Sequence, residues 1–371
     1  MTQSSNQRIA ISLTTLILIP LVVLLLVVLW QLRSLIVLLM ISVVLAAAIA
    51  PIVEWAEKWR IPRWLSVIII YLSIIGGVIG IAVLIGPTVF EQLQLLFRQI
   101  PLALKTLVTA IEEWMVMQND DQSDLINQAF NQFLDVQGLV SWGIRSTQKV
   151  VVQSVGVTTD IVGGVLSLIL ALFISGYMLS DSRTLIRSLT CLFPQPWDDR
   201  LMAQVTPISN RIGSYVRGRI LVSAILSMAI ATSLSILGLS DFALGLGAIA
   251  GVTNLIPFIG PFLGAIPALV VALSQGWWMV LWVLLLFIVV QNIETYILDP
   301  LLVGSSVGVH PLYQLLAVIG GTQLLGILGA VIVPPWIAGA AVLLDNLYLQ
   351  PKLIADKRLV LKNLEPFPPI Q

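Results

Sequence analysis

Long uncharged apolar runs alternate along this chain with short basic or polar segments. The runs last about 20 residues, the length that carries an α-helix across the hydrocarbon core of a bilayer. Eight such regions can be drawn. Ile9 to Trp30 and Ser34 to Val53 are separated by little more than Arg33 and predict a helical hairpin. Leu65 to Gly86 is the third, about Asp160 to Leu179 the fourth, and Ile220 to Leu239 the fifth. Phe242 to Leu273, Trp277 to about Leu298, and Leu312 to about Tyr348 complete the set. The fold class expected is all-α, a polytopic transmembrane helical protein.

Between the third and fourth runs the composition changes. From Pro87 to about Gln153 the chain is rich in Gln, Asn and acids, and apolar residues recur at helical spacing as Leu104, Leu107, Ile111 and Trp114, then as Leu125, Phe130 and Phe133. Pro101 and Ser123 suit helix starts, so a small amphipathic helical insert outside the bilayer is expected. A second polar segment, Asp181 to Arg219, is basic and holds Pro194-Gln195-Pro196. The organisation that follows is 1–86 for the first three spans, 87–153 for the insert and 154–180 for the fourth span. Then come 181–219 for the basic segment, 220–350 for the C-terminal membrane half and 351–371 for a tail, disordered after Glu365.

The sixth region is not a simple span. Phe242 to Leu273 contains Pro257, Pro261 and Pro267 among Gly245, Gly247, Gly251, Gly260 and Gly264. Proline removes a backbone donor and clashes with the preceding turn, and in lipid each freed carbonyl needs a partner. Broken backbone at that depth belongs inside protein or beside a water-filled cavity. The eighth region is interrupted in the same way by Gly320-Gly321, Gly326, Gly329 and Pro334-Pro335. Two interrupted segments in one half resemble the discontinuous helices of secondary transporters. The small-xxx-small pairs Gly247/Gly251 and Gly260/Gly264 have a second reading, as simple close-packing surfaces between helices.

Charge placement sets an expected orientation. Arg8, then Lys58, Arg60 and Arg63, then six Arg from Arg183 to Arg219, then Lys352, Lys357, Arg358 and Lys362 all fall on one side if eight crossings are made. That side is the cytoplasm, with both termini there and the acid-rich insert outside. Composition agrees with a membrane protein: 58% hydrophobic residues, 10% charged residues and a mean hydropathy of +1.00 lie outside the range of soluble domains. With 19 basic and 19 acidic residues the net charge is zero, so nucleic acid is not an expected partner. Cys191 is the single cysteine and His310 the single histidine, which leaves no disulfide scaffold and no metal-ligand cluster. No phosphate-binding Gly-x-x-x-x-Gly-Lys loop occurs and no nucleophile–base frame can be assembled, so neither a cofactor nor an enzyme is expected.

Within the C-terminal half the charges are purely acidic. No Lys or Arg lies between Arg219 and Lys352, while Asp241, Glu294, Asp299 and Asp345 remain. Intramembrane carboxylates are costly and mark proton or cation pathways. Glu294, with Gln291 one turn earlier on the same helix side, is the leading candidate; the alternative is an interfacial acid near the end of its span. Asp299, before Pro300, reads first as a helix-end turn residue and second as a site. His310 is either a pH-responsive group or a helix-start residue. The candidate pathway is Asn254, Pro257, Gly260, Pro261, Gly264, Pro267, Gln291, Glu294, Asp299 and His310.

An ordered series over about 80 residues carries a resemblance. Ile256-Pro-Phe-Ile-Gly-Pro-Phe-Leu-Gly-Ala-Ile-Pro267 is followed by Gln291-Asn-Ile-Glu294, Asp299-Pro300, Gly304, His310-Pro311, Gly320-Gly321 and Gly326-Ile-Leu-Gly329. This series resembles the signature of the autoinducer-2 exporter (PerM-like permease) family. The resemblance implies a plasma-membrane transporter that assembles as a homo-oligomer and moves a small polar solute or a monovalent cation. Export driven by a proton or sodium gradient is the activity it implies; a channel or a membrane scaffold is the alternative.

Overall fold

The computed structural model of the chain describes residues 13–118, 157–304 and 310–364, and every element among them is helical. Helices α1 (Leu13–Gln31) and α2 (Arg33–Glu57) are joined by Leu32 alone, whose backbone, φ −85° and ψ 4°, stays close to helical. The hydrogen-bond ladder crosses it, from Leu32 N–H to Val28 O at 2.9 Å and from Ile36 N–H to Leu32 O at 3.0 Å. One near-helical residue does not reverse a chain. The two helices therefore run end to end, and the hairpin expected from Arg33 does not form.

Helix α3 (Arg63–Gln118) has 56 residues. At 1.5 Å per residue that is about 84 Å, nearly three times a hydrocarbon core of about 30 Å, so the helix leaves the bilayer and continues beyond it. It passes through Pro87 and Pro101 without a break, because the ladder on either side holds the helix across a single missing donor. The helix start expected after Pro101 is thus internal to α3. Ser123, Leu125, Phe130 and Phe133 lie outside the described residues, as does the tail after Glu365.

Helix α4 (Val157–Ser180) is followed by α5 (Ser182–Thr190), bent away from it by 84°. Helix α6 (Trp197–Ile236) is 40 residues long and starts well inside the segment expected to be a polar connection. Three shorter helices follow: α7 (Ser240–Thr253), α8 (Gly260–Gln275) and α9 (Trp277–Ile293), of 14, 16 and 17 residues. The chain then widens into a π-helical segment, Glu294–Gly304. Helix α10 (Pro311–Leu344), a short π-helical turn (Asp345–Leu349) and α11 (Gln350–Leu364) complete the described residues.

Among the described residues five helical stretches can cross a membrane by length and composition, or six if the bent α4–α5 pair counts as one span. The eight apolar regions do not each become a full crossing, and the proline- and glycine-rich ones explain why. Gly260 lies against the Thr253 carbonyl and Gly264 against Ala250, so α7 and α8 fold back on each other as a hairpin. Their arms, about 21 and 24 Å long, are shorter than the hydrocarbon core. In α10 the backbone at Gly326 takes φ 65° and ψ −151°, a combination open essentially to glycine alone. Gly321 and Gly329 then meet backbone to backbone. Eight residues apart on a continuous helix they would be about 12 Å apart, so α10 also reverses, at Gly326.

Helix α6 is the axis of the C-terminal half. Ser223 Oγ donates to the Gly251 carbonyl and Ser227 Oγ to the Gly247 carbonyl at 2.9 Å, four residues up one helix matching four residues down the other. A Cβ on Gly247 or Gly251 would strike Ala231 or Ser227, so the glycines are what allow the two backbones this close. Val222, Leu226, Ile230 and Leu234 of α6 pack with Leu246, Ala250, Ala268, Val271 and Val283 as the main core. On its other side α6 meets α2. Pro51 has no N–H for the Ala47 carbonyl, and Arg217 supplies the missing donor, with Nη1 at 3.3 Å from Ala47 O and 3.0 Å from Ala48 O. Gly213 lets α6 lie directly on that carbonyl.

Candidate functional site

The antiparallel register of α6 and α7 dictates what meets the hairpin turn. Continuing the steps Ser227–Gly247 and Ser223–Gly251 by one more turn brings Arg219 opposite Asn254, the first residue of the turn. Arg219 Nη2 donates to Asn254 Oδ1 at 3.2 Å. Helices α8 and α9 have nearly the same length as α7, so the chain goes out through α8 and returns through α9 to the same depth. The residue that arrives there is Glu294. Arg219 Nη1 donates to Glu294 Oε1 at 2.9 Å and to Asp299 Oδ1 at 3.3 Å.

The π-helical segment is what brings both carboxylates to one guanidinium. On an α-helix, residues five apart point about 140° away from each other. A π-helix closes its hydrogen bonds over five residues, which returns Asp299 to the side of Glu294. Pro300, with no N–H to offer the regular ladder, sits inside this wider segment. The side chains of Arg219 and Glu294 are 7% and 4% exposed, whereas Asp299 is 40% exposed, so the pair is sealed and Asp299 is the accessible member. Gly218 makes room: a Cβ there would strike the Leu302 carbonyl of the π segment.

Some polar atoms around this pair lack a close hydrogen bond. Among the described residues the buried side-chain atoms lacking a hydrogen bond are Ser66 Oγ, Tyr215 Oη, Arg219 Nε, Asn254 Nδ2 and Gln291 Oε1. All but Ser66 belong to the cluster or lie one turn from it, Tyr215 before Arg219 and Gln291 before Glu294. Gln314 is close to the Tyr215 hydroxyl and Glu294 to the Asn254 amide, so Arg219 Nε and Gln291 Oε1 are the buried polar atoms here that leave room for water.

The other candidates fall elsewhere. Pro257 is in the hairpin turn, next to Phe258, whose φ of 64° is unusual for a bulky residue and makes the turn tight. Pro261 opens α8, where its missing donor costs nothing, and Pro267 is inside that helix. Gly260 and Gly264 face the α7 arm. Gln291 Nε2 donates to Thr295 Oγ1 at 3.2 Å. His310 is the N-cap of α10, its Nδ1 accepting from Leu312 N–H at 3.2 Å, and it is exposed. Arg219 is the residue that sequence reasoning missed. Its signal was present as the last base before a long stretch holding only acids.

The family model described as AI-2E family transporter matches residues 18–349. The chain belongs to that family. Among its relatives, the transport protein YrrI of Bacillus subtilis is 31% identical over 306 residues, 80% of this chain and 82% of its own length. YueF of the same organism is 30% identical over 317 residues, 83% of each chain. Both carry names that assign them to transport. The AI-2 transport protein TqsA of Escherichia coli is 22% identical over 292 residues, covering 78% of this chain and 80% of TqsA. The chain is thus an AI-2E membrane protein with a transport role, and the sequence resemblance to that family is upheld.

Proposed function

We propose that this chain is a gradient-driven permease that exports a small polar solute or a monovalent cation, and that Glu294 and Asp299 bind the coupling proton or cation. One observation carries the reading: at the turn of a short-armed hairpin, one guanidinium faces two carboxylates. The cluster holds more negative than positive charge, in a setting where an uncompensated charge is expensive. Arg219 acts as a built-in counter-ion. A proton on a carboxylate, or a small cation beside Asp299, completes the neutralisation and loosens the hold of Arg219 on the hairpin. Broken backbone and orphaned polar atoms at the same place supply the lining that a polar passenger needs.

Reconstitution tests this directly. Purified protein in liposomes, given imposed sodium and proton gradients and a panel of small polar solutes, is expected to show saturable flux that follows one gradient. Non-saturating flux makes it a channel, and no flux with any gradient makes it a scaffold.

We also place the protein in the plasma membrane as a homo-oligomer. The Lys58–Arg63 turn and the Asp181–Arg211 stretch face the cytoplasm, and the Pro87–Gln153 insert lies outside, as the basic residues favour. A cytoplasmic N-terminus rested on the α1–α2 hairpin and loses that ground. An impermeant thiol reagent should label a cysteine at Asp121 and spare one at Arg187; the reverse pattern inverts the topology. Mass measurement in mild detergent should give more than one chain.

A further inference from the structure

A groove of about 460 Å³ runs between α3 and α4, away from the ion-pair cluster. Its walls are helical stripes: Ile68 and Leu72 on α3 and Ile169 and Phe173 on α4, all exposed. Gly176 forms part of the floor, where a Cβ would make only ordinary contact, 3.6 Å from Val67 Cγ1 and 4.0 Å from Tyr71 Cε2. The hydroxyls nearest the floor, Tyr71 and Ser175, are bonded to each other, so the groove offers no free polar group there. From Trp64 to Ile75 it follows α3 for about 16 Å, which is about half of a hydrocarbon core of about 30 Å.

One end of the groove is marked as the membrane surface by three independent features. Trp64 and Tyr177 line it, and Trp55 in the last turn of α2 and Trp59 just after that helix stand exposed, as in an interfacial aromatic belt. Helix α5 turns away at 84° just past Ser180, the last lining residue. Lys58 and Arg60 on the α2–α3 turn and Arg183 in the first turn of α5 are exposed there, three bases against the exposed Glu54 and the half-buried Asp181. Arg63 is already committed, to Glu57 at 3.5 Å and to the Leu179 carbonyl at 2.8 Å, and ties the two helices together at this end.

We infer that this groove is a binding site for an anionic phospholipid, one acyl chain lying between α3 and α4 for the depth of a leaflet and the headgroup phosphate held by Arg60, Lys58 and Arg183. The apolar wall fixes the chain and the excess of basic groups at the mouth selects the headgroup. This inference does not depend on the transport reading.

The test uses delipidated full-length protein in mild detergent, titrated with dioleoyl phosphatidylglycerol or dioleoyl phosphatidylcholine, with bound lipid counted by native mass measurement. Phosphatidylglycerol is expected to bind about fivefold or more tightly than phosphatidylcholine, the weight of one or more surface basic residues. Gly176→Leu should weaken both lipids at least about tenfold by filling the floor. Phe173→Ala, which removes an exposed wall and leaves the core alone, should weaken both in the same direction if Gly176→Leu fails to fold. Lys58→Gln and Arg60→Asn with Arg183→Gln should erase the difference between the lipids; Asn suits the φ of 63° at position 60. Equal binding of the two lipids by the parent, or unchanged binding after Gly176→Leu or Phe173→Ala, overturns the inference. If those variants instead break up an assembly while lipid binding stays, the groove belongs to a second copy of the chain and the inference is wrong.

Discussion

Arg219→Gln is expected to destabilise the folded protein by about 3–5 kcal/mol and to abolish gradient-driven flux. The reason is the asymmetry of a buried pair: removing the guanidinium leaves Glu294, 4% exposed, charged and without a counter-ion, and releases Asn254 at the hairpin turn. Removing the second charge should undo the folding defect but not the functional one. The double variant Arg219→Gln with Glu294→Gln is therefore expected to regain most of the lost thermal stability while remaining inactive. Asp299→Asn, at a 40% exposed carboxylate, should cost under about 1 kcal/mol. Thermal midpoints in detergent, measured beside proteoliposome flux, check all three. A single Arg219→Gln variant with parental stability would show that the pair does not hold the hairpin.

The second large effect belongs to Gly260. A Cβ at this position would lie on the Thr253 carbonyl and 2.8 Å from Asn254 Cα, against backbone that cannot rotate away as a side chain would. Gly260→Ala is expected to force the arms of the hairpin apart, costing about 1–3 kcal/mol or more, and to reduce flux at least tenfold by moving Asn254 off Arg219. Gly77→Ala in α3 is the control. Nothing lies within 4 Å of a Cβ there, and the change should be neutral or stabilise by up to about 1 kcal/mol. Equal effects of the two substitutions on flux would remove the hairpin from the mechanism. Seen from the sequence alone, a large residue at Gly260 would fill a passage; in the structure the space beside Gly260 is already filled by its own hairpin.

Much of this architecture could be read from residue patterns, and the failures have physical causes. The proline and glycine clusters in 242–273 and 312–348 announced broken backbone in lipid. They could not announce reversal, because a kink and a hairpin use the same residues and differ only in the contacts made afterwards, Gly260 on Thr253 and Gly321 on Gly329. Arg33 looked like a hairpin turn, yet a single residue can sit within a continuing ladder. Pro101 looked like a helix start for the same kind of reason. Glu294 was legible as an expensive acid. Its partner was not, since Arg219 sits at the end of a run of bases and looks solvated until the register of α6 against α7 is known. Asp299 was read first as a turn residue because α-helical spacing separates it from Glu294; the π-helical segment reverses that conclusion.

Replacing the buried acid without changing its shape tests the central claim most directly. Glu294→Gln keeps the volume and can still accept from Arg219 Nη1, but it cannot bind a proton or balance a cation. With parent and variant reconstituted at equal density, and flux measured under opposed sodium and proton gradients between pH 5.5 and 8.5, a range that covers about three pH units around neutrality, the variant is expected to express and assemble like the parent and to lose gradient-driven flux at every pH. Flux at the parental rate with the parental pH response would contradict the account and leave Glu294 a structural partner of Arg219 alone.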